Sequence, residues 1–209
     1  METKENDTIV AHPVRTSFPT DNQGKIDLAV TLKNKGNDLF KEGKFKKAIV
    51  EYSKALSFTK GLPGRKEGLE GLSQMAMSES YSVDDLITPE QNNFINELDV
   101  IIKTNISTCY IKLNNSIKAL EIIREALLIN PKAWKSLLRK AEAIMLINDT
   151  DKALIILEDA LKYAPDENAC IAINKMKEKV LKTIKTEEAK QRKAFSNIFE
   201  KARQQTENL

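Results

Sequence analysis

The sequence of 209 residues predicts an all-α protein in which three helical hairpins are followed by one long C-terminal helix. The first observation is an internal repeat: the segments that start at Val100 and Trp134 match when the chain is shifted by 34 residues, and an earlier copy starts at Ala29. The second is that apolar residues within each copy recur mostly three and four positions apart, which is the spacing of one helix face. We therefore assign the repeats to residues 29–62, 100–133 and 134–167.

Small residues and prolines occupy shared positions in these repeats. Small side chains stand at the eighth, twentieth and twenty-seventh positions of every copy: Gly36, Ala48 and Ala55, then Ser107, Ala119 and Ala126, then Ala141, Ala153 and Ala160. Two antiparallel helices approach closely only where side chains are small, so this pattern predicts hairpins. Pro131 and Pro165 end the second helix of the later copies, because proline cannot donate to the preceding turn. The first copy has Lys60 at that position.

Residues outside the repeat pattern define the predicted domain boundaries. We expect residues 1–25 to form a disordered arm, because they lack periodicity. Residues 26–165 are predicted to form the repeat domain, interrupted by an insertion at 63–99. Residues 166–209 are predicted to form a capping helix with a basic tail. Apolar residues in the first half of that helix should cover the open end of the array: Ile171, Ile173, Met176, Val180, Leu181 and Ile184.

Turn and cap residues mark where individual helices end and begin. Gly43 is free to take a positive φ in the first hairpin turn. Asp149 or Thr150 can cap the helix that follows the turn in the third hairpin. Residues 61–87, which overlap the insertion, are predicted to be mostly a surface excursion with a mobile tip. A helix then restarts with Thr88 as its N-cap and proline at the first helical position.

Composition excludes several classes of function. A net charge of +3 is too small to indicate nucleic-acid binding, and no apolar run reaches the roughly 18 residues of a membrane span. Cys109 and Cys170 lie in apolar, helix-periodic stretches, so they read as free, buried thiols of a reducing compartment, with a disulfide as the less favoured alternative. The only histidine is His12, and no metal-ligand cluster, phosphate loop or cofactor motif is present. We expect a non-enzymatic protein of the cytoplasm, with the nucleus left open.

Five polar residues recur on the first helices of the three repeats: Lys33, Asn37, Asn105, Lys135 and Arg139. In the first repeat, Lys33 and Asn37 are four residues apart, and so are Lys135 and Arg139 in the third repeat. The two members of each pair therefore share one helix face. Folded, the five side chains should converge on one groove as three cations and two amides. Such a groove suits the binding of an anionic chain end rather than catalysis.

The repeat spacing resembles the tetratricopeptide repeat (TPR), a helix-turn-helix unit of 34 residues whose arrays form a right-handed superhelix. The five polar residues resemble the dicarboxylate clamp of TPR co-chaperones that bind Hsp90 or Hsp70. The matching stretches are residues 32–37, 104–107 and 134–141. In that family the bound peptide ends in Glu-Glu-Val-Asp. The resemblance implies that Lys33, Asn37 and Asn105 hold the terminal carboxylate. Lys135 would reach the last Asp side chain, and Arg139 would bind the peptide further in.

The TPR domains of large immunophilins and of the tetratricopeptide repeat protein 9 group are the most similar by this reading. The stretches Gly-Asn-Asp-Leu-Phe-Lys-Glu-Gly-Lys-Phe at 36–45 and the helix around 190–202 carry the resemblance. Immunophilins have a prolyl-isomerase domain before their repeats, whereas about 28 residues precede them here. We therefore expect a stand-alone co-chaperone or adaptor without isomerase activity.

Two alternatives stay open from the sequence. TPR arrays also serve as scaffolds for other partners, and a scaffold need not require a free C-terminal carboxylate. The segment 182–203 is basic and carries Phe195 and Phe199, a pattern that also suits calmodulin or a membrane surface. The favoured interpretation of that segment is a solvated helix whose Phe195, Ile198 and Phe199 dock locally or on a bound chaperone. The sequence does not decide between Hsp90 and Hsp70.

Overall fold

The computed structural model describes residues 19–63, 65 and 86–207, and this part of the chain contains seven α-helices and no strand. The helices are α1 (Asn22–Lys41), α2 (Phe45–Lys60), α3 (Pro89–Lys112), α4 (Ser116–Ile129), α5 (Trp134–Met145), α6 (Thr150–Lys162) and α7 (Glu167–Glu207). They pair in sequence as three hairpins, and α7 packs on α6. The predicted all-α hairpin array with a C-terminal helix is confirmed. No helix in the described ranges combines the length and apolar character needed to cross a membrane.

The hairpins close on the small residues that the repeat pattern singled out. Eight of the nine have no exposed surface at all: Ala48, Ala55, Ser107, Ala119, Ala126, Ala141, Ala153 and Ala160. Gly36, the ninth, is buried against the ring of Tyr52. Larger apolar side chains fill the spaces between the hairpins; Ile102, Ile123 and Leu157 are fully buried. The core is therefore made of several apolar clusters within and between consecutive helix pairs.

Local signals place the helix ends where the sequence predicted them. Gly43 has φ of 75° in the first turn, and Asn148 has φ of 59° at the equivalent turn of the third hairpin. The Asp149 side chain accepts from the Lys152 amide and caps α6. Thr88 and Gln91 form a reciprocal capping box at the start of α3, with proline at its first turn.

The first helix begins earlier than the sequence indicated. Asp21 is its N-cap and accepts from the Gly24 amide at 2.8 Å, so residues 22–25 are helical rather than part of a disordered arm. Asp21 is followed by a polar turn of helix, so the sequence lacks the apolar periodicity that would have marked this helix start. Residues 1–18, which include His12, lie outside the described residues.

The start of the predicted surface excursion packs into the core. Leu62 and Arg65 are buried, and the Arg65 guanidinium contacts the carboxylate of Asp99, which is fully buried in α3. The Thr59 hydroxyl donates to the other oxygen of Asp99 over 2.7 Å. The rest of the predicted excursion, residues 64 and 66–85, lies outside the described part. A buried ion pair with a hydroxyl donor thus fixes the connection between α2 and α3.

The C-terminal helix covers the array with only one face. Ile173 and Val180 are fully buried against the third hairpin, with Met176 and Ile184 beside them. The predictions for Ile171 and Leu181 are wrong: their side chains are 57% and 41% exposed, because they project from α7 away from α6.

Three large apolar residues of the second half of α7 face solvent. Phe195, Ile198 and Phe199 are 62%, 62% and 71% exposed. The expectation that they dock on a nearby part of the chain is therefore wrong for the residues that the structure describes. The helix at this point has passed the end of the array, so α6 offers these side chains no surface.

The two cysteines are free thiols in different environments. Cys109 is fully buried in α3, and burial raises the pKa of its thiol to about 12. Cys170 is half-buried near the start of α7. Both were expected to be buried, and only Cys109 is fully buried.

Replacing Gly36 by alanine should destabilise the first hairpin. A Cβ at this position would lie 2.5 Å from Tyr52 Cε1, so the ring or the helix must shift. We expect the free energy of unfolding to fall by about 1–3 kcal/mol, as in other overpacked cores. Gly61→Ala is the matched control, because its Cβ would meet nothing closer than 3.7 Å. Chemical denaturation of both variants checks this, and equal stabilities would contradict the close packing at Gly36.

Candidate functional site

A groove of about 430 Å³ runs across the first helices of the three hairpins. Helices α1, α3 and α5 form its walls, Tyr52 of α2 lies behind it, and Ala172 of α7 closes one side. Its lining combines polar and apolar side chains: Asn37, Phe40, Lys41, Tyr52, Thr104, Asn105, Thr108, Trp134, Lys135, Leu138, Arg139 and Ala172. Consecutive hairpins stack in sequence order, so the first helix of each repeat lies beside the first helix of the next.

Four of the five predicted residues meet in this groove. Asn37 comes from α1, Asn105 from α3, and Lys135 and Arg139 from α5. Lys33 is half-buried one helical turn before Asn37 and is not among the lining residues. The structure therefore brings together two cations and both amides, and it leaves the third cation at the margin.

The two asparagines are joined to each other and to a buried tyrosine. Asn105 Nδ2 donates to Asn37 Oδ1 over 3.1 Å, and the Tyr52 hydroxyl donates to the same oxygen over 2.8 Å. Tyr52 is 1% exposed, and this burial raises its pKa to about 12, so the hydroxyl stays protonated at neutral pH. The amides of α1 and α3 thus have fixed orientations before any ligand arrives.

The cations of α5 are also held by neighbours. Lys135 Nζ lies 5.4 Å from the centroid of the Trp134 ring, a cation–π distance. Arg139 Nη1 donates to Glu142 Oε2 over 2.5 Å, one turn along the same helix. An arginine has five N–H donors, so this bond leaves most of the guanidinium for a second anion.

A buried hydroxyl pair supports the wall between α3 and α5. Thr104 Oγ1 donates to the Val100 carbonyl over 2.7 Å and lies 2.7 Å from Ser136 Oγ. Each hydroxyl can donate or accept, so either can be the donor of the bond between them. Both residues are buried, so this bond ties the helix that carries Asn105 to the helix that carries Arg139.

Sequence reasoning did not identify Tyr52, Lys41 or Glu142, which line the groove or hold its polar residues. Tyr52 stands at the twenty-fourth position of the first repeat, on a second helix, whereas the search for polar residues covered first helices only. Lys41 follows Asn37 by four residues on the same helix face and pairs with Asp38 over 3.2 Å. Glu142 follows Arg139 by three residues. The i,i+4 spacing could have identified Lys41, but no sequence signal pointed to the hydroxyl of Tyr52.

The chemistry of this groove is that of anion binding. Its walls offer amide, guanidinium and ammonium donors over an apolar base that includes Phe40 and Leu138. Among the described residues, no group of three or more His, Cys, Asp or Glu side chains is arranged to hold a metal ion. The arrangement can therefore accommodate an anionic group beside an apolar one.

Comparison with known proteins places the fold among tetratricopeptide repeats. The tetratricopeptide repeat family model matches residues 102–133. Peptidyl-prolyl cis-trans isomerase FKBP4 of Bos taurus is 24% identical over 188 residues, which cover 90% of this chain and 35% of FKBP4. The chain therefore spans about a third of the length of the curated relatives it matches.

Two solved structures show the same arrangement of helices. The C-terminal TPR-containing domain of a Plasmodium falciparum FK506-binding protein aligns with a TM-score of 0.56 at 21% identity, covering 79% of this chain and 93% of that domain. The first TPR of Spaghetti (RPAP3), bound to the Hsp90 peptide SRMEEVD, aligns with a TM-score of 0.50 at 19% identity, covering 76% and 94%. At these identities the likeness concerns the fold.

Proposed function

We propose that this chain, which is built of tetratricopeptide repeats, is a non-catalytic co-chaperone or adaptor that binds the acidic C-terminal peptide of Hsp90 or Hsp70. The binding residues are Lys33, Asn37, Asn105, Lys135 and Arg139, acting as a dicarboxylate clamp. The observation that carries the proposal is the meeting of Asn37, Asn105, Lys135 and Arg139, from three different repeats, in one groove.

A peptide that ends in aspartate matches the donors of this groove. Its last residue has two carboxylates, one of the main chain and one of the side chain. Asn37 and Asn105, with Lys33 at the margin, are proposed to hold the terminal carboxylate, and Lys135 the side chain. Charge-assisted hydrogen bonds contribute about 1.5–3 kcal/mol each. After the cost of ordering a flexible peptide, several such bonds correspond to roughly micromolar affinity.

The remaining lining residues suit the peptide segment before the terminal aspartate. Arg139 keeps free donors for a peptide carbonyl or carboxylate while it stays bonded to Glu142. Lys41 adds a further positive charge next to Phe40, where an upstream glutamate would be stabilised. An aliphatic side chain next to the terminus would pack on Leu138 and Trp134.

The relatives support this proposal without carrying residue roles to this chain. The first TPR of Spaghetti (RPAP3), whose fold is similar, was solved with a peptide that ends in the same four residues. FKBP4 is a prolyl isomerase, but the match covers about a third of it, so we do not extend isomerase activity to this chain. The two free thiols fit a reducing compartment such as the cytoplasm.

The direct test is a calorimetric titration with two peptides that end in Met-Glu-Glu-Val-Asp, one with a free C-terminus and one amidated. We expect roughly micromolar binding of the free form and at least about a tenfold loss on amidation, because amidation removes the terminal charge that the asparagines and Lys33 would hold. Equal binding of both peptides would favour the scaffold alternative. Binding of neither by the folded protein would refute the clamp.

Single substitutions test the assigned residues. Arg139→Ala and Lys33→Ala should each weaken binding of the free peptide by more than about 1 kcal/mol, or fivefold. Arg124→Ala and Lys47→Ala are matched controls, because both residues are exposed cations on second helices outside the groove. Affinities are compared by calorimetry after thermal unfolding has shown that the variants fold. If Lys33→Ala alone binds the peptide normally, Lys33 is not part of the clamp.

An exposed stripe of apolar side chains on α7, formed by Phe195, Ile198 and Phe199, favours a second candidate function. Phe195, Ile198 and Phe199 lie on one face of a helix segment with more basic than acidic residues, and they face solvent. Such a helix suits an acidic, groove-forming partner, and calmodulin is the example that the sequence suggested.

Binding of calcium-loaded calmodulin tests this candidate. We expect the double variant Phe195→Ala, Phe199→Ala to lose binding, because apolar anchors supply most of the buried area in such complexes. Ile155→Ala removes an equally exposed apolar side chain from α6 and is the control. Absence of binding by the unmodified chain would exclude calmodulin and leave the stripe without this partner.

A further inference from the structure

The amide of Asn37 is held on its oxygen side by donors from two other helices. The Tyr52 hydroxyl reaches Asn37 Oδ1 over 2.8 Å from α2, and Asn105 Nδ2 reaches it over 3.1 Å from α3. A carbonyl oxygen has two lone pairs, so these two bonds use its full accepting capacity. The NH₂ group is therefore the part of the Asn37 amide that can meet a ligand.

Tyr52 is placed so that its hydroxyl donates to Asn37 from a fixed point. Its ring lies against Gly36, where even a methyl group would clash, and its side chain is 1% exposed. Burial raises the pKa of Tyr52 to about 12, so the hydroxyl keeps its proton. Gly36, Tyr52 and Asn37 thus form a short chain of contacts from the hairpin core to the groove.

We propose that Tyr52 is a positioning residue of the clamp, whose hydroxyl turns the Asn37 NH₂ group toward the groove and makes the site selective for a carboxylate over a neutral amide. This inference rests on the proposed function and deepens it. If the Asn37 amide rotated by half a turn, its nitrogen would face the Asn105 donor and its oxygen would face the ligand. An oxygen in that place repels a carboxylate, and the Tyr52 bond opposes the rotation.

Tyr52→Phe isolates the hydroxyl, because it keeps the ring that packs on Gly36. We expect this variant to bind the free-acid peptide about threefold to tenfold more weakly, the range of one net hydrogen bond. Binding of the amidated peptide should change less than twofold, so the preference for the free acid falls. Tyr110→Phe is the matched control: Tyr110 is a half-buried tyrosine outside the groove lining, and we expect its affinities to stay within twofold.

A double-mutant cycle separates positioning from a general structural effect. In the Asn37→Ala background the Tyr52 hydroxyl has no amide to orient, so adding Tyr52→Phe should change the affinity less than twofold. The same loss in both backgrounds would show that Tyr52 acts through the fold and would overturn the proposal. Thermal unfolding of each variant verifies that all four proteins are folded.

The side-chain amide signals of Asn37, observed by NMR in the free protein, decide the positioning role without a peptide. Tyr52→Phe should shift these signals and Tyr110→Phe should not. Unchanged Asn37 signals in Tyr52→Phe would overturn the positioning role even if the wild-type protein binds the peptide. A wild-type protein that binds neither peptide would instead contradict the proposed function, while shifted signals would still support the contact.

Discussion

Close approach of paired helices, made possible by small side chains, is the constraint on which the rest of the structure depends. Ala48, Ala119 and Ala153 occupy the same place in three hairpins and have no exposed surface. Each hairpin is therefore narrow enough for the next one to stack beside it. Because every hairpin closes on small residues at equivalent positions, the first helices stand in a row. That row is the wall of the groove, so a larger side chain at any of these crossings would displace the polar residues on that wall.

The groove gains its character from contacts among its own side chains. Tyr52 and Asn105 orient the Asn37 amide, and Glu142 holds the Arg139 guanidinium. Thr104 and Ser136 join the helices behind these residues. Each contact restricts the motion of a side chain that lines the groove. Less conformational entropy is then lost when a peptide binds, so the entropic cost of association is lower. Buried Tyr52 and half-buried Asn105 and Glu142 thus set the geometry of the polar groups that line the candidate site.

Much of the fold and most of the site followed from sequence, because a repeat shows the same constraint three times. The spacing of small residues predicted the hairpins, and the position of Asn37, Asn105 and Arg139 on first helices placed them on neighbouring helices of the array. Interactions that occur in only one place in the structure left no repeated pattern in the sequence from which they could be predicted. The hydroxyl bond of Tyr52 depends on a contact between helices, and the outward orientation of Ile171 depends on how far α7 turns along α6. The burial of Arg65 required a partner, Asp99, that lies 34 residues later in the chain.

The chain has a single tryptophan, and it stands in the groove next to Lys135. Its indole ring faces an ammonium group at 5.4 Å, a neighbour that influences the emission of an excited indole. Any occupant that draws the lysine toward a carboxylate, or covers the ring with an aliphatic side chain, changes the surroundings of this one fluorophore. The protein consequently has an intrinsic optical reporter at its candidate site, with no second tryptophan to obscure the signal.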